Sequence, residues 1–278
     1  NQCTKYMEIG NLTGLNRKGN ECYFTKKEIV ENLMSKIDFT GYTKIIEPAA
    51  GTGVFLEFLE EKCDNLVSYD IHPLHPDTIQ ANYLETKIKK EGKILVVGNP
   101  PFGRQSSLAK KFIKHSNKFA STVAFILPRS FKKDSMTKCF NLFFHKVFEE
   151  DLPKNSFLLE DGRQHDVPCV FQIWERKETK RILKPIEIEN ENYLIVKKEK
   201  IEDHVIAFKR VGGKAGTFYY DNLNSLSKET HIFIKIINNE ILSKEVLEKL
   251  IWETKDHTVG VLSISKQELI LKLNGLKK

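Results

Sequence analysis

Long apolar runs are missing from this sequence: no stretch approaches the roughly 18 residues that a membrane-spanning helix needs, and residues 1–20 lack the apolar segment of a secretory signal. The expectation is a soluble, intracellular, cytoplasmic protein with no membrane partner. Cysteine is sparse and scattered. Its five copies, Cys3, Cys22, Cys63, Cys139 and Cys169, form no Cys-x-x-Cys pair, which argues against a disulfide framework or zinc site and predicts reduced thiols. The eight histidines show no ligand spacing, so no metal is expected. Internal repeats and low-complexity tracts are absent as well. With 40% hydrophobic, 10% aromatic and 29% charged residues, the composition is that of an ordinary globular protein.

One absence is local. From Asn99 to Lys133 there is no Asp or Glu, while Arg104, Lys110, Lys111, Lys114, Lys118, Arg129, Lys132 and Lys133 fall inside that run. The net charge of +7 over the whole chain is mild; its concentration here is the stronger hint of an anionic partner.

At 278 residues the chain exceeds one typical domain of roughly 100–200 residues, so a large domain with a smaller appendage is expected. Thr25, followed by Glu28, reads as the N-cap of a helix with Ile29, Leu33 and Ile37 on one face. Short apolar runs at 44–47, 66–69, 94–97, 122–127 and 167–175 read as strands. Helical spacing at 54–62 and 108–119 separates some of them. Such alternation predicts an α/β fold, a Rossmann-like, mostly parallel sheet flanked by helices. The charged segment 175–187 reads as a linker, giving a first domain over 1–177 and a small α+β C-terminal region over 178–278.

Glu47-Pro-Ala-Ala-Gly51-Thr-Gly53 follows the first of these strands. Two glycines suit a sharp strand-to-helix turn that lets a ligand approach the backbone. The third glycine of the dinucleotide fingerprint is missing and no G-x-x-x-x-G-K-[ST] occurs, which disfavours NAD and P-loop readings. Asp70, at the end of the next strand, is placed to accept bonds from ribose hydroxyls, and Glu47 to receive a cationic group.

After a further strand comes Asn99-Pro100-Pro101-Phe102. The prolines fix φ and remove two N–H donors, leaving the Asn99 side chain and the Pro100 carbonyl as acceptors in a stiff turn beside an aromatic ring. This suits a planar base bearing an amino group, with acceptors on the amine and Phe102 stacked on the ring.

On these motifs the chain resembles class I S-adenosylmethionine-dependent methyltransferases, specifically the N6-adenine enzymes. Residues 47–55 are similar to the family's cofactor loop, and Asn99–Phe102 matches its [DNS]-P-P-[YFW] catalytic motif. Residues 23–30 resemble its additional cofactor segment, with Lys26 where the family has proline. The order of these motifs is that of the gamma arrangement, with target recognition at the C-terminus. Segments 125–131 and 151–176 resemble adenine methyltransferases of large DNA viruses and phages; for a viral source the location implied is the host cytoplasm.

The resemblance implies S-adenosyl-L-methionine as cofactor, contacted by Tyr23, Thr25, Glu47, Ala49, Gly51, Gly53, Asp70, Asn82 and Asn99. It implies Asn99, Pro100, Pro101 and Phe102 as the catalytic turn, and Phe157 as a second aromatic closing the base pocket, with Phe171 behind it in the core. The partner implied is nucleic acid, DNA favoured and RNA possible. A target base inside a duplex must be extruded, so the backbone must be gripped; Arg104, Arg129 and Lys132 are the candidate phosphate contacts, together with Lys214 in the basic, glycine-rich loop 209–216. Adenine methylation in RNA, including cap-adjacent adenosine, glutamine-N5 methylation of protein and a catalytically silent scaffold are the alternatives that the same motifs leave open.

Overall fold

The protein is described from a computed structural model covering residues 23–159, 161–183, 187–253, 255 and 261–276. Cys3, Cys22 and residues 184–186 of the expected linker lie outside the described residues. Two compact units meet between Ile182 and Leu183.

The first unit is built on a seven-stranded sheet. Its strands are β2 (Lys44–Glu47), β3 (Leu66–Asp70), β4 (Ile79–Gln80), β5 (Ile94–Gly98), β6 (Thr122–Pro128), β7 (Phe144–Asp151) and β10 (Cys169–Arg176), in the spatial order β4-β3-β2-β5-β6-β10-β7. Pairings from β4 through β6 are parallel, and β10 runs antiparallel between β6 and β7. A fully buried parallel strand needs apolar residues on both faces. β5, Ile-Leu-Val-Val-Gly, and β6, Thr-Val-Ala-Phe-Ile-Leu-Pro, are buried along their whole length.

Alternate residues feed two cores. Ile45, Leu95, Val97, Ala124 and Ile126 join one face with Val30, Leu33 and Met34 of helix α1 (Lys27–Met34). Ile46, Ile94, Val96, Val123 and Phe125 join the other with Ala109, Phe112 and Ile113 of α3 (Ser107–Ser116). Helix α2 (Leu56–Leu59) follows the glycine loop. The expected mostly parallel α/β sheet with helices on both faces is therefore the architecture found.

Several local expectations change. Thr25 is not a helix cap: it ends β1 (Phe24–Thr25), and the N-cap is Lys26, whose side chain makes no capping bond. β1 pairs instead with β8 (Phe157–Leu158), which pairs with β9 (Gln164–His165), forming a separate three-stranded piece. A charged edge strand, β7, was not anticipated from Phe-His-Lys-Val-Phe-Glu-Glu-Asp, whose polar residues blur the alternation; edge strands tolerate such charge. The start of the expected linker is anchored. The Arg181 guanidinium donates to the carbonyls of Asn141, Phe144, Thr137 and Phe140 at 2.7–3.1 Å and lies over Trp174.

The second unit is an antiparallel sheet in the order β11-β14-β12-β13: β11 (Tyr193–Val196), β12 (Val205–Lys209), β13 (Phe218–Tyr219) and β14 (His231–Ile236). Helices α5 (Lys244–Leu247) and α6 (Lys266–Asn274) carry serine N-caps, Ser243 and Ser265. Phe208, Phe218 and Trp252 form an aromatic cluster in its core. Among the described residues, no helix is long and apolar enough to cross a membrane.

Candidate active site

The chain builds β2, β3 and β4 outward in one direction, then returns to lay β5 on the other side of β2. This reversal of strand order falls between β2 and β5, and in open α/β sheets ligands bind at such a point, outside the carboxyl ends of the strands. Glu47 ends β2, Asp70 ends β3, and Asn99 follows β5.

Between β2 and α2 the loop turns twice through left-handed backbone, Gly51 at φ +52° and Gly53 at φ +84°. Gly53 is required on a second count: a Cβ there would stand 2.5 Å from the His75 ring. The 71–76 segment packs onto this loop, with Leu74 N donating to Gly51 O at 3.1 Å. Asp70 ties the two together, accepting from Gly51 N and from His72 N, each at 2.8 Å. Each carboxylate oxygen retains a further lone pair for an incoming hydroxyl. Ala49 is half-buried against the core beneath the loop.

Glu47 is fully buried, at 0% exposure, and neither carboxyl oxygen has a partner. Burial, reinforced by the nearby Asp70 charge, holds its carboxyl well above the usual carboxylate range. Gly98 lies alongside it: a Cβ there would stand 3.4 Å from Glu47 Cγ, in ordinary contact. A buried acid with two open acceptors is matched to a cation that brings its own charge and donors.

Asn99 is the second such group. Its Nδ2 donates to Thr25 Oγ1 at 3.2 Å, and its buried Oδ1 has no partner. Pro100 is buried, Pro101 exposed, and the Phe102 ring half-buried at the margin of both cores. Phe102 O accepts from Leu108 N and Ala109 N at 3.0 and 3.3 Å, fixing the turn to the start of α3. The structure thus brings Thr25 and Asn99 into contact, and sets Gly51, Asp70, Glu47 and Gly98 against one another along the adjoining strand ends.

Other expected site residues are placed differently. Tyr23 stacks on His165, rings parallel at 4.7 Å. Asn82 caps the 83–85 turn, its Oδ1 accepting from Leu84 N at 3.1 Å and its Nδ2 donating to Glu85 at 2.7 Å, so both ends of its amide are engaged locally. Phe157 is corrected from pocket wall to core. It is 1% exposed, paired in register with Thr25 and packed with Leu152, Val167 and Phe171, which leaves no ring face for a base.

The cationic candidates also divide. Arg104 is exposed and forms no ion pair among the described residues. Arg129 and Lys132 both face Asp151, at 3.4 and 2.8 Å, a carboxylate that β7 and β10 deliver through the pairing Val170–Asp151. The acid-free run is therefore not acid-free in space. In the second unit, the 209–216 loop is a closed turn: Ala215 N donates to Gly212 O, Gly216 N to Lys209 O and Gly212 N to Leu262 O. The amides of Gly212, Ala215 and Gly216 are thus taken by carbonyls, while Gly213 and Lys214 are exposed.

Sequence spacing also missed a titratable group beside the glycine loop. Ligand atoms of Glu60, His75 and Asp77 lie within 4.8 Å of one another. His75 Nδ1 accepts from Asp77 N at 3.4 Å, and Glu60 and Asp77 are exposed; nothing at the cluster distinguishes it from a solvated surface group.

Sheet order, glycine loop and strand-end acids define the class as a Rossmann-like α/β protein with its candidate site at the strand-order reversal. No protein-family model matches the sequence. Over 102 residues the chain is 32% identical to the type II methyltransferases M.HincII and M.HindII of Haemophilus influenzae. The match covers 34% of this chain and 20% of theirs, so the chain spans about a fifth of the length of those relatives. Over that stretch the chain is similar to type II methyltransferases, which supports the resemblance to S-adenosylmethionine-dependent methyltransferases and leaves the gamma order of its motifs an expectation. The solved N-methyltransferase NodS from Bradyrhizobium japonicum WM9, in complex with S-adenosyl-L-homocysteine, is 13% identical over 55% of this chain and 86% of its own, with a TM-score of 0.41. That likeness is too distant to speak for activity.

Proposed function

We propose that the chain is an S-adenosylmethionine-dependent methyltransferase acting on the N6 amine of adenine in DNA. The observation that carries this reading is the Asn99 amide. Its buried, unpartnered Oδ1 stands beside a proline carbonyl in a turn from which two prolines remove N–H donors, with Phe102 alongside. Oδ1 and that carbonyl are acceptors, and an exocyclic amine offers two donors.

The residues at the neighbouring strand ends fit the cofactor. Glu47 accepts the ammonium group, which relieves its uncompensated burial, and Asp70 accepts from the ribose hydroxyls with its remaining lone pairs. The glycine loop lets the cofactor approach the backbone of residues 49–53. When bound, the cofactor supplies an electrophilic methyl group on a sulfonium centre.

Asn99 Oδ1 and the Pro100 carbonyl hold the two amine N–H bonds. Accepting from both keeps the nitrogen lone pair directed outward rather than delocalised into the ring. Phe102 supports the base from one face. Catalysis in this reading is orientation and electrostatic placement, with no covalent enzyme intermediate. The choice of nucleic acid over protein rests on the cations near the turn, Arg104 foremost, which suit a phosphate backbone; the choice of DNA rests on the resemblance of the motifs to N6-adenine DNA methyltransferases.

The test is transfer of labelled methyl to matched double-stranded DNA, single-stranded DNA and RNA, followed by nucleoside analysis. N6-methyladenine in DNA is expected, and Asn99→Ala is expected to lower kcat by about 10³-fold with cofactor binding retained. Label in RNA alone overturns the substrate; label on another atom, or full activity in Asn99→Ala, overturns the mechanism.

A further inference from the structure

The reading above assigns Thr25 to the cofactor; its placement gives it another task. Thr25 is 6% exposed, and its hydroxyl is the recorded partner of the Asn99 amide, 74 residues away in sequence. Its position is set from the far part of the first unit. Thr25 pairs with Phe157 across β1 and β8, and Lys26 N donates to Ser156 O at 3.1 Å. Ser156 is itself tied back, its hydroxyl donating to Pro153 O at 2.7 Å, and Asn155 N donates to Asp166 Oδ1 at 3.2 Å. A small sheet of three short strands thus holds one hydroxyl against the catalytic turn.

An asparagine amide has two orientations, and only one suits an amine substrate. With Nδ2 on Thr25, Oδ1 is left open as an acceptor. Turned over, Oδ1 would take the Thr25 hydroxyl proton, and Nδ2 would present donors to an amine that also presents donors. The hydroxyl alone tolerates both states, so the substrate selects the first. What the hydroxyl contributes is a partner for the amide nitrogen in that first state. Without it, the productive orientation leaves a buried donor unsatisfied, a cost the protein avoids by rotating the side chain. The Pro100 carbonyl is no substitute, because it is needed by the amine.

We infer that Thr25 is a positioning residue for methyl transfer, holding the Asn99 amide so that its oxygen faces the incoming amine. This rests on the proposed role of Asn99.

The test compares Thr25→Val, which keeps the shape and removes the acceptor, with Thr25→Ser, which keeps the acceptor. The first readout needs no cofactor. The Asn99 side-chain NH₂ resonances, identified by their loss in Asn99→Ser, are expected to move and exchange faster with water in Thr25→Val and to stay near their original positions in Thr25→Ser. The second is kinetic. Thr25→Val is expected to lower kcat by about 30-fold, in the range that misplacement of a reacting group produces, with KM for DNA changed less than about threefold; Thr25→Ser is expected to stay within about threefold in kcat. Placed in an Asn99→Ser background, Thr25→Val is expected to cost nothing further in kcat.

An unmoved Asn99 resonance, an unchanged kcat, or a loss confined to cofactor KM overturns the inference and leaves Thr25 as a cofactor contact only. Asn99→Ala separates the two levels. If it is inactive while Thr25→Val behaves as wild type, the inference alone falls; if it is fully active, the underlying reading falls and the inference with it.

Discussion

Two glycine-bearing loops look alike in sequence and differ in structure. Residues 48–53 and 209–216 each follow a strand and each turn through left-handed glycines, Gly51 and Gly53 in one, Gly212 and Gly216 in the other. In the second loop the glycine serves packing. Gly216 makes room for Trp252, whose ring a Cβ would approach to 2.6 Å and whose Nε1 donates to Gly216 O at 3.1 Å. The amides of Ala215 and Gly216 close on the loop's own carbonyls, Gly212 O and Lys209 O. In the first, the turn sits beside a buried carboxyl and, across Gly98, a buried amide oxygen, none of whose acceptors is used by the protein. Glycine content alone does not mark a ligand site; unspent polar groups next to it do.

The comparison can be broken by substitution. Gly53→Ala adds a methyl group inside the His75 ring at a positive φ, and is expected to cost about 2–4 kcal/mol and to abolish cofactor binding. Gly213→Ala, where a Cβ meets nothing within 4 Å, is expected to change stability by less than about 0.5 kcal/mol. Chemical denaturation of both variants measures the contrast; equal losses would show position 53 to be no more constrained than position 213.

Glu47 gives a pH test. A carboxyl whose folded-state affinity for protons is raised contributes stability below its unfolded pKa and loses it as pH rises toward the folded value. In cofactor-free protein, Glu47→Gln is therefore expected to melt near the wild-type temperature at pH 4 and increasingly above it toward pH 8. A gap that stays constant with pH would mean that Glu47 is ionised and compensated. The same substitution is expected to weaken cofactor binding about 10-fold or more by removing the charge that meets the ammonium.

Arg104 and Arg129 sharpen the account of the basic run. Each phosphate contact contributes about 0.9 to the slope of log affinity against log salt on duplex DNA. Arg104→Ala is expected to reduce that slope by nearly this amount, and Arg129→Ala, already faced by Asp151, by less than half of it. Lys214→Ala is expected to have the smallest effect, under about twofold in affinity, since an exposed, isolated charge contributes little. Binding titrations at several salt concentrations order the three.

The mostly parallel sheet was legible because buried strands write themselves as continuous apolar runs, and Gly51, Gly53, Asp70 and Asn99–Phe102 were legible because each sits at a strand end. What sequence could not supply was pairing between distant segments. Asp151 lies outside the acid-free run and reaches Arg129 and Lys132 only through β7 and β10. Thr25 read as a helix cap because Thr-x-x-Glu is the local signature of one, yet β8 claims it as a strand residue. Phe157 read as a pocket wall for want of any local sign that β1 would cover it.

The pairing of Thr25 with Phe157 also has a consequence for how the protein is made. The partners lie 132 residues apart along the chain, so their meeting is among the longest loop closures in the first unit and belongs late in folding. On the ribosome, a nascent chain carries its glycine loop and its Asn-Pro-Pro-Phe turn well before residue 157 has been added. Asn99 is therefore synthesised early and meets its Thr25 partner late.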